Sequence, residues 1–400
     1  MFQRKKILVL GAAQSCLGII RTIKRMGHLA VVVGNSDNLP GKALADHYFI
    51  ANDNDVEAVV DYSQKIGIDG IVPTPVDRPL VWMAKVAEEL GLIFMSSNTA
   101  EAFRHKYKMK VRLQRLKVPC AKGILTTKEK IINDIHNRFA FPLIIKPIDG
   151  YASRGVIKVD SLAELGNYIE ETSSFSTNSH IVVEEFIDGR EFNAEGVCYR
   201  GNVEIYAIVE KVRDSFPRTI EMGHIVPPDI TNSEEELIVS IITDAVKAMG
   251  LDNGAFNAEI KIKNNSGYVI EVNGRLAGDF IVSHLLKPTT GQDMEEAVVN
   301  ISLGIAPEKA KRKYLKWGMI SYFNLKPGKK IVRINDYSYL NKLSDVVCVH
   351  LFFNENDIIP DVKHMGHRSG FIIVTADSRR KLIERVTKIE NKMIESIILK

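Results

Sequence analysis

The chain has 400 residues, with 53 Lys+Arg against 49 Asp+Glu and 45% apolar residues. At roughly 150 residues per domain this length predicts two to three domains, and the apolar share excludes disorder, coiled coil or collagen as a description of the whole. A formal charge of +4 without a dense Lys/Arg run argues against a nucleic-acid footprint, and no stretch approaches the ~18 apolar residues that would span a membrane.

Arg4-Lys5-Lys6 before Ile7-Leu8-Val9-Leu10-Gly11-Ala12-Ala13 imitates a secretory leader, but the apolar run breaks at Gln14 and reads better as strand, turn and helix. From there the pattern alternates. It predicts strands at Lys6 to Leu10, Leu29 to Val33 and Gly70 to Thr74, with helices at Ser15 to Met26, Asp55 to Ile66 and Pro79 to Leu90. Such alternation is the pattern of a doubly wound parallel sheet, here over residues 1–95. Its first turn, Gly11-Ala12-Ala13-Gln14-Ser15-Cys16, lacks the second and third glycines of the dinucleotide fingerprint, which speaks against a nicotinamide oxidoreductase. Residues 98–117 are expected to be helical, and strands return after Val118-Pro119. A helix over 234–249 is expected to open with the capping box Ser233-x-x-Glu236. Its buried face would carry Leu237, Ile238, Ile241, Ile242, Ala245 and Met249. A closing α+β stretch over 316–400 has predicted strands at Trp317 to Phe323, Val346 to Phe353 and Gly370 to Ala376. Cys16, Cys120, Cys198 and Cys348 form no CxxC pair and read as reduced thiols of a cytoplasmic protein.

Three segments carry chemistry. The first is Phe256 to Lys263, the turn Asn264-Asn265-Ser266-Gly267, and Tyr268 to Asn273. With Gly267 closing a three-residue hairpin loop, Glu259 is expected opposite Asn273. Alternation then puts Glu259, Lys261, Glu271 and Asn273 on one face and Ile260, Ile262, Ile270 and Val272 on the core face. Two carboxylates and an amide oxygen suit Mg²⁺, and a solvated hairpin face fits the same pattern. The second is Lys146, which ends the apolar run Pro142 to Ile145 and precedes the loop Asp149-Gly150-Tyr151-Ala152-Ser153-Arg154-Gly155. Such a loop can fold backbone N–H groups over phosphates, or be a plain surface hairpin. In the third, Val182 to Glu191, Phe186 and Ile187 could wall an adenine and a carboxylate could hold ribose.

Taken in order, the lysine, the glycine loop, Glu-Glu-Phe-Ile-x-Gly-x-Glu, and Glu followed by Glu-x-Asn-x-Arg resemble the ATP-grasp superfamily. The resemblance implies a pre-grasp domain over 1–95, linker helices and a small ATP-grasp lobe over 96–190, a large lobe with a metal site over 191–315, and a C-terminal α+β subdomain over 316–400. It implies ATP and Mg²⁺ (or Mn²⁺) as cofactors. Lys106, Lys146, Ser153, Arg154 and Gly155 would serve the phosphates, Glu184, Glu185, Phe186 and Ile187 the adenine, and Glu191 the ribose. Glu259, Glu271 and Asn273 would hold metal, and Arg275 would be catalytic. Glu221-Met222-Gly223-His224 and Gly278-Asp279 are similar to the L-amino-acid ligase branch, which makes Glu221, His224, Gly278 and Asp279 candidates for substrate binding. His224 also reads as a structural histidine. Two departures from the family pattern are His105 before Lys106, where Asp is common, and Gly274, where proline is common. The implied activity is ATP-dependent joining of a small-molecule carboxylate to an amine through an acyl phosphate. The partners would be small molecules, not nucleic acid or membrane, and the protein a homodimer. A carboxylase, a purine-pathway ligase and a non-catalytic ATP-binding protein are the alternatives.

Overall fold

Lys6–Leu10 pairs in parallel with Leu29–Gly34 on one side and Gly70–Ile71 on the other, and His47–Ile50, which the sequence pattern did not signal, adds an edge. The structure, a computed structural model, describes residues 3–214 and 216–400. Period-two alternation sends Ile7, Val9, Ala30 and Val32 to a core shared with the helix Leu17–Arg25. Leu8, Leu10, Val31 and Val33 pack on the other face against Val56–Ile66 and Leu80–Leu90. The doubly wound layer is therefore present, and all four strands end at one rim.

The expected helix over 98–117 is two helices, Ser97–Arg104 and Lys106–Arg115, broken at His105. The break has a local cause: His105 adopts extended backbone and its Nδ1 accepts the Lys108 N–H at 3.2 Å. The imidazole thus caps the second helix in the way an aspartate would.

A four-stranded antiparallel sheet follows, in the order Gly123–Thr127, His180–Glu185, Leu143–Pro147, Ile157–Val159, with the helix Leu162–Ser174 on one face. The largest sheet has eight antiparallel strands, from the edge pair Ser266–Asn273 and Asn253–Lys263 through Arg190–Tyr199, Asn202–Arg213 and Glu221–Val226. It continues without a break into Trp317–Phe323, Gly370–Ala376 and Val346–Leu351. The C-terminal segment therefore extends this sheet, and the helix Arg379–Glu395 closes a core over that end.

The helix behind the other end runs Asn232–Met249, two residues longer at its start than its spacing predicted. Its capping box is Thr231 with Glu234, not Ser233 with Glu236: the Thr231 hydroxyl accepts the Glu234 N–H at 3.3 Å and the Glu234 carboxylate accepts the Thr231 N–H at 2.9 Å. Ile238, Ile242, Ala245 and Met249 are buried as expected, whereas Leu237 and Ile241 lie at the border of the core. Among the described residues no helix is long and apolar enough to cross a membrane.

Candidate active site

The hairpin of Asn253–Lys263 and Ser266–Asn273 departs from the expected register in an instructive way. Asn264 and Asn265, at φ 49° and 58°, form a two-residue turn, and Gly267 is an ordinary strand residue. That turn pairs Lys261 with Tyr268 and Ile260 with Val269, a register that if continued would set Glu259 against Ile270. A bulge between Glu259 and Ile260 inserts Ile270 as an extra residue, so that Glu259 faces Glu271 and Asn257 faces Asn273, in place of the expected Glu259–Asn273 pair. Ile270, expected in the core, instead lines a cleft of about 680 Å³ together with Glu259, Lys261, Glu271 and Asn273. The two carboxylates and the amide are thus gathered on one wall. These are hard oxygen donors, and burial together with Glu221, Glu271 and Glu191 pushes the Glu259 carboxyl above its ordinary range against the pull of Lys211. This donor chemistry fits a divalent cation, which would share Glu259 with Lys211 and Glu271 with Lys106.

Lys146, Lys110 and Lys106 are all buried. The Glu184 carboxylate, expected near adenine, lies 2.8 Å from Lys146 Nζ and 3.0 Å from Lys110 Nζ. Its burial would raise its carboxyl, but these two ammonium groups outweigh that and hold it below the usual range. Glu184 is therefore the anchor of two lysines, and Lys110, the buried missing partner, escaped notice in a run of basic residues. Lys106 Nζ lies 2.5 Å from Glu271.

Behind this wall sits Lys211, whose ammonium has no solvent exposure and lies 2.5 Å from Glu221, 3.1 Å from Glu191 and 3.2 Å from Glu259. Glu191 also pairs with Arg213. Burial opposes ionisation, but Arg213, Lys211 and Lys261 overcome it and bring the Glu191 carboxyl down to about 2. Its Oε2 makes no hydrogen bond within the protein, although Lys261 lies 3.7 Å away. Glu221, Gly278 and Asp279 line the cleft, but His224 does not: it is fully buried behind them, with Nε2 at 3.4 Å from Glu221 and 3.6 Å from Asp279. These three side chains are close enough together for a metal ion, yet Lys211 already pairs with Glu221, and Arg368 grips Asp279 with a two-pronged contact at 2.8 and 3.0 Å. Their charge is compensated without a metal.

In the glycine loop, Gly150 to Ser153 face the cleft. Arg154 and Gly155, expected at the phosphates, do not: Arg154 donates to the Tyr151 hydroxyl at 3.0 Å and stacks on its ring, and Gly155 packs at φ 67° against Phe175 and Thr172. Glu185, Phe186 and Ile187 line the cleft. Lys261 donates to the Ile187 carbonyl at 2.8 Å and lies over the Phe186 ring, while the N–H groups of Glu185 and Phe186 already bond to Lys122 and Pro142 carbonyls.

Arg275 forms a fork with Asp77, Nε to Oδ1 at 2.5 Å and Nη2 to Oδ2 at 2.9 Å. Burial would raise the Asp77 carboxyl, but Arg275, Arg104 and Lys106 lower it. A Cβ at Gly274 would lie 2.6 Å from the Phe103 ring, so that position must stay bare and Asp77, not a proline, fixes Arg275. Asp77 lies in the loop between the strand Gly70–Ile71 and the helix Leu80–Leu90, and the rim of the parallel layer, including Gly11 to Ala13, Asn35 and Asp53, forms the far wall of the cleft. The sequence signal for Asp77 was its place just past a strand of a doubly wound sheet, where ligand sites collect.

The family model of the ATP-grasp domain matches residues 139–283. Residues 139–283 form an ATP-grasp domain. Over its full length the chain shares the ATP-grasp fold of an L-amino acid ligase from Bacillus licheniformis, with a TM-score of 0.84 at 22% identity, covering 100% of this chain and 99% of that one. It is 19% identical to dapdiamide A synthase of Enterobacter agglomerans over 97% of this chain and 96% of that protein. It is also 23% identical to the carbamoyl phosphate synthase large chain of Caldanaerobacter subterraneus subsp. tengcongensis over 75% of this chain, but spans only 26% of that protein's length. Residues 139–283 thus contain Lys146, Glu184, the glycine loop and the carboxylate wall, whereas Lys106, Lys110 and, from the parallel layer, Asp77 come from outside them.

Proposed function

We propose that the chain is an ATP-dependent carboxylate–amine ligase that works through an acyl phosphate, with an amino acid as one substrate. What supports this is convergence in one cleft of Lys146, Lys106, the glycine loop, the free Oε2 of Glu191, the Glu259/Glu271/Asn273 wall and Arg275. Phosphoryl transfer asks a protein mainly for positioning and charge neutralisation, and these groups supply both. Lys146 and Lys106 hold phosphate oxygens, Glu191 Oε2 accepts from a ribose hydroxyl, and Phe186, Ile187 and Ile270 flank the base. Magnesium, or manganese in its place, would neutralise the phosphate charge when held by Glu259, Glu271 and Asn273.

In this reading a substrate carboxylate oxygen attacks the γ-phosphorus and ADP leaves. The amine nitrogen then attacks the acyl carbon, phosphate leaves and the amine loses its proton. Arg275, held still by Asp77, faces the oxyanion that forms between those events, and Glu221, Gly278 and Asp279 line the place of the amino acid. The similarity to an L-amino acid ligase and to dapdiamide A synthase at nearly full coverage of both chains favours an amino-acid substrate. The similarity to carbamoyl phosphate synthase keeps bicarbonate as a second reading.

The test is product stoichiometry. ADP and phosphate should appear in equal amounts with an amide when amino acids are supplied in pairs. Hydroxylamine should trap a hydroxamate from the carboxylate substrate alone. AMP as the stoichiometric product would refute the mechanism, and turnover with bicarbonate but no amino acid would select the second reading.

A further inference from the structure

The loop from Lys363 to Arg368, in the C-terminal extension of the sheet, touches two parts of the cleft that lie far from it in sequence. At one end is the glycine loop. The Met365 N–H donates to the Ala152 carbonyl at 3.3 Å, and the Ser153 hydroxyl lies 3.5 Å from the Met365 sulfur. Nearby, Arg218, which is paired with Glu171 of the helix Leu162–Ser174, donates to the Lys363 carbonyl at 3.5 Å. At the other end Arg368, almost completely buried, divides its donors among three acceptors. Nη1 and Nη2 bind the Asp279 carboxylate at 3.0 and 2.8 Å, Nη1 also reaches the Glu221 carbonyl at 2.9 Å, and Nε donates to the Met365 carbonyl at 2.9 Å. The guanidinium lies over the Tyr322 ring, 3.5 Å from its centre, and the Tyr322 hydroxyl donates to the Asp279 carbonyl at 3.0 Å.

Both ends meet backbone in a costly shape. Ala152 and Ser153 each have φ 56°, and Asp279 and Phe280 have φ 54° and 62°, left-handed values without glycine. Such residues persist only where surrounding contacts over-determine them, and at both places contacts of this one loop supply that restraint. Hydrogen bonds link the Asp279 carboxylate to the Arg368 guanidinium and that to the Met365 carbonyl, and the N–H of the same residue binds the glycine loop.

We propose that residues 363–368 are a strap that ties the glycine loop to the cleft floor, with Arg368 as its positioning residue. The strap makes closure of that loop over the nucleotide depend on the state of Asp279, so the substrate end of the cleft and the nucleotide end respond to each other. Only the nucleotide part of this proposal rests on the function proposed above. A lysine at 368 can pair with Asp279 but cannot also send a fixed N–H to Met365, because it lacks the planar fork.

The test uses the full chain and limited trypsin cleavage at Arg154, inside the glycine loop, followed by mass spectrometry. Arg368→Lys and Arg368→Ala should each speed that cleavage by about fivefold, the scale of one lost hydrogen bond, and Met365→Ala, which keeps its backbone bonds and loses only the sulfur contact to the Ser153 hydroxyl, should speed it by a smaller factor. The double variant Met365→Ala/Arg368→Lys should be no faster than the faster single, because both act on one path. Arg368→Lys should melt within a few degrees of the parent, which a purely structural role for Arg368 would not produce alongside faster cleavage. Should Arg368→Ala fail to fold, Met365→Ala and Arg368→Lys carry the test. Unchanged cleavage in both, or effects that multiply in the double variant, would overturn the strap. Calorimetry with magnesium and a non-hydrolysable ATP analogue is the separate arm: absence of binding to the parent would refute the nucleotide reading, while the cleavage comparison without nucleotide would still decide the strap.

Discussion

Replacing Lys211 by Met tests the charge arrangement behind the cleft. The ammonium is fully buried and lies 2.5, 3.1 and 3.2 Å from the carboxylates of Glu221, Glu191 and Glu259. At an effective dielectric of about 20, each such contact is worth roughly 5 kcal/mol of gross attraction, most of it offset by the desolvation of the ions. The measurable quantity is the cost of leaving buried carboxylates without their cation, about 3–5 kcal/mol. That cost depends on pH with a definite sign. Without Lys211 the Glu221 and Glu259 carboxyls bind protons more tightly in the folded than in the unfolded chain, while Glu191 keeps Arg213 and Lys261, so stability is retained toward pH ~4.5 and lost as pH rises. Urea unfolding followed by the fluorescence of the two tryptophans should show a large loss for Lys211→Met at pH 8 and a smaller one at pH 5.5. Added magnesium should restore part of the loss at pH 8 if Glu259 is a ligand. Equal stability of variant and parent at pH 8, or a larger deficit at pH 5.5, would refute the reasoning.

Glu271→Ala should leave the fold intact, since the side chain stands on the cleft wall, and lower turnover by ~10²-fold or more; normal turnover at low magnesium would remove Glu271 from the metal set. Glu295 is buried where the helix Met294–Ser302 meets Leu17–Arg25, accepts from Thr22 Oγ1 at 2.9 Å and leaves its Oε1 without a hydrogen bond. Burial is the main cause that pushes its carboxyl up to about 7, Asp293 adding to it and Thr22, Arg25 and Lys287 opposing. A raised carboxyl favours folding below its unfolded value and loses that advantage as pH climbs through 7, so Glu295→Gln should flatten the stability profile between pH 5 and 8.5. Thermal melts across that window check it, and parallel profiles for variant and parent would contradict it.

The parts of this protein legible in its sequence are those in which neighbours along the chain are also neighbours in space. Alternating apolar runs determined the parallel layer, because a strand buried on both faces has few ways to be written. The Glu259, Glu271 and Asn273 wall was legible because a hairpin brings its own strands together, and Lys146 stood out as a charge ending an apolar run. Register already depended on more: the two-residue Asn264-Asn265 turn and the bulge at Glu259 together leave Glu259 opposite Glu271 and not opposite Asn273, an even net shift that keeps the wall on one face and that spacing alone does not reveal. The ion-pair network was decided by tertiary structure. Arg275 meets Asp77 across 198 residues and Arg368 meets Asp279 across 89, and one buried Glu184 takes two lysines. A charged side chain looks the same in sequence whether it lies on the surface or beneath a cleft. Burial is what makes its partner obligatory, and burial is set only when three sheets have packed around one cavity.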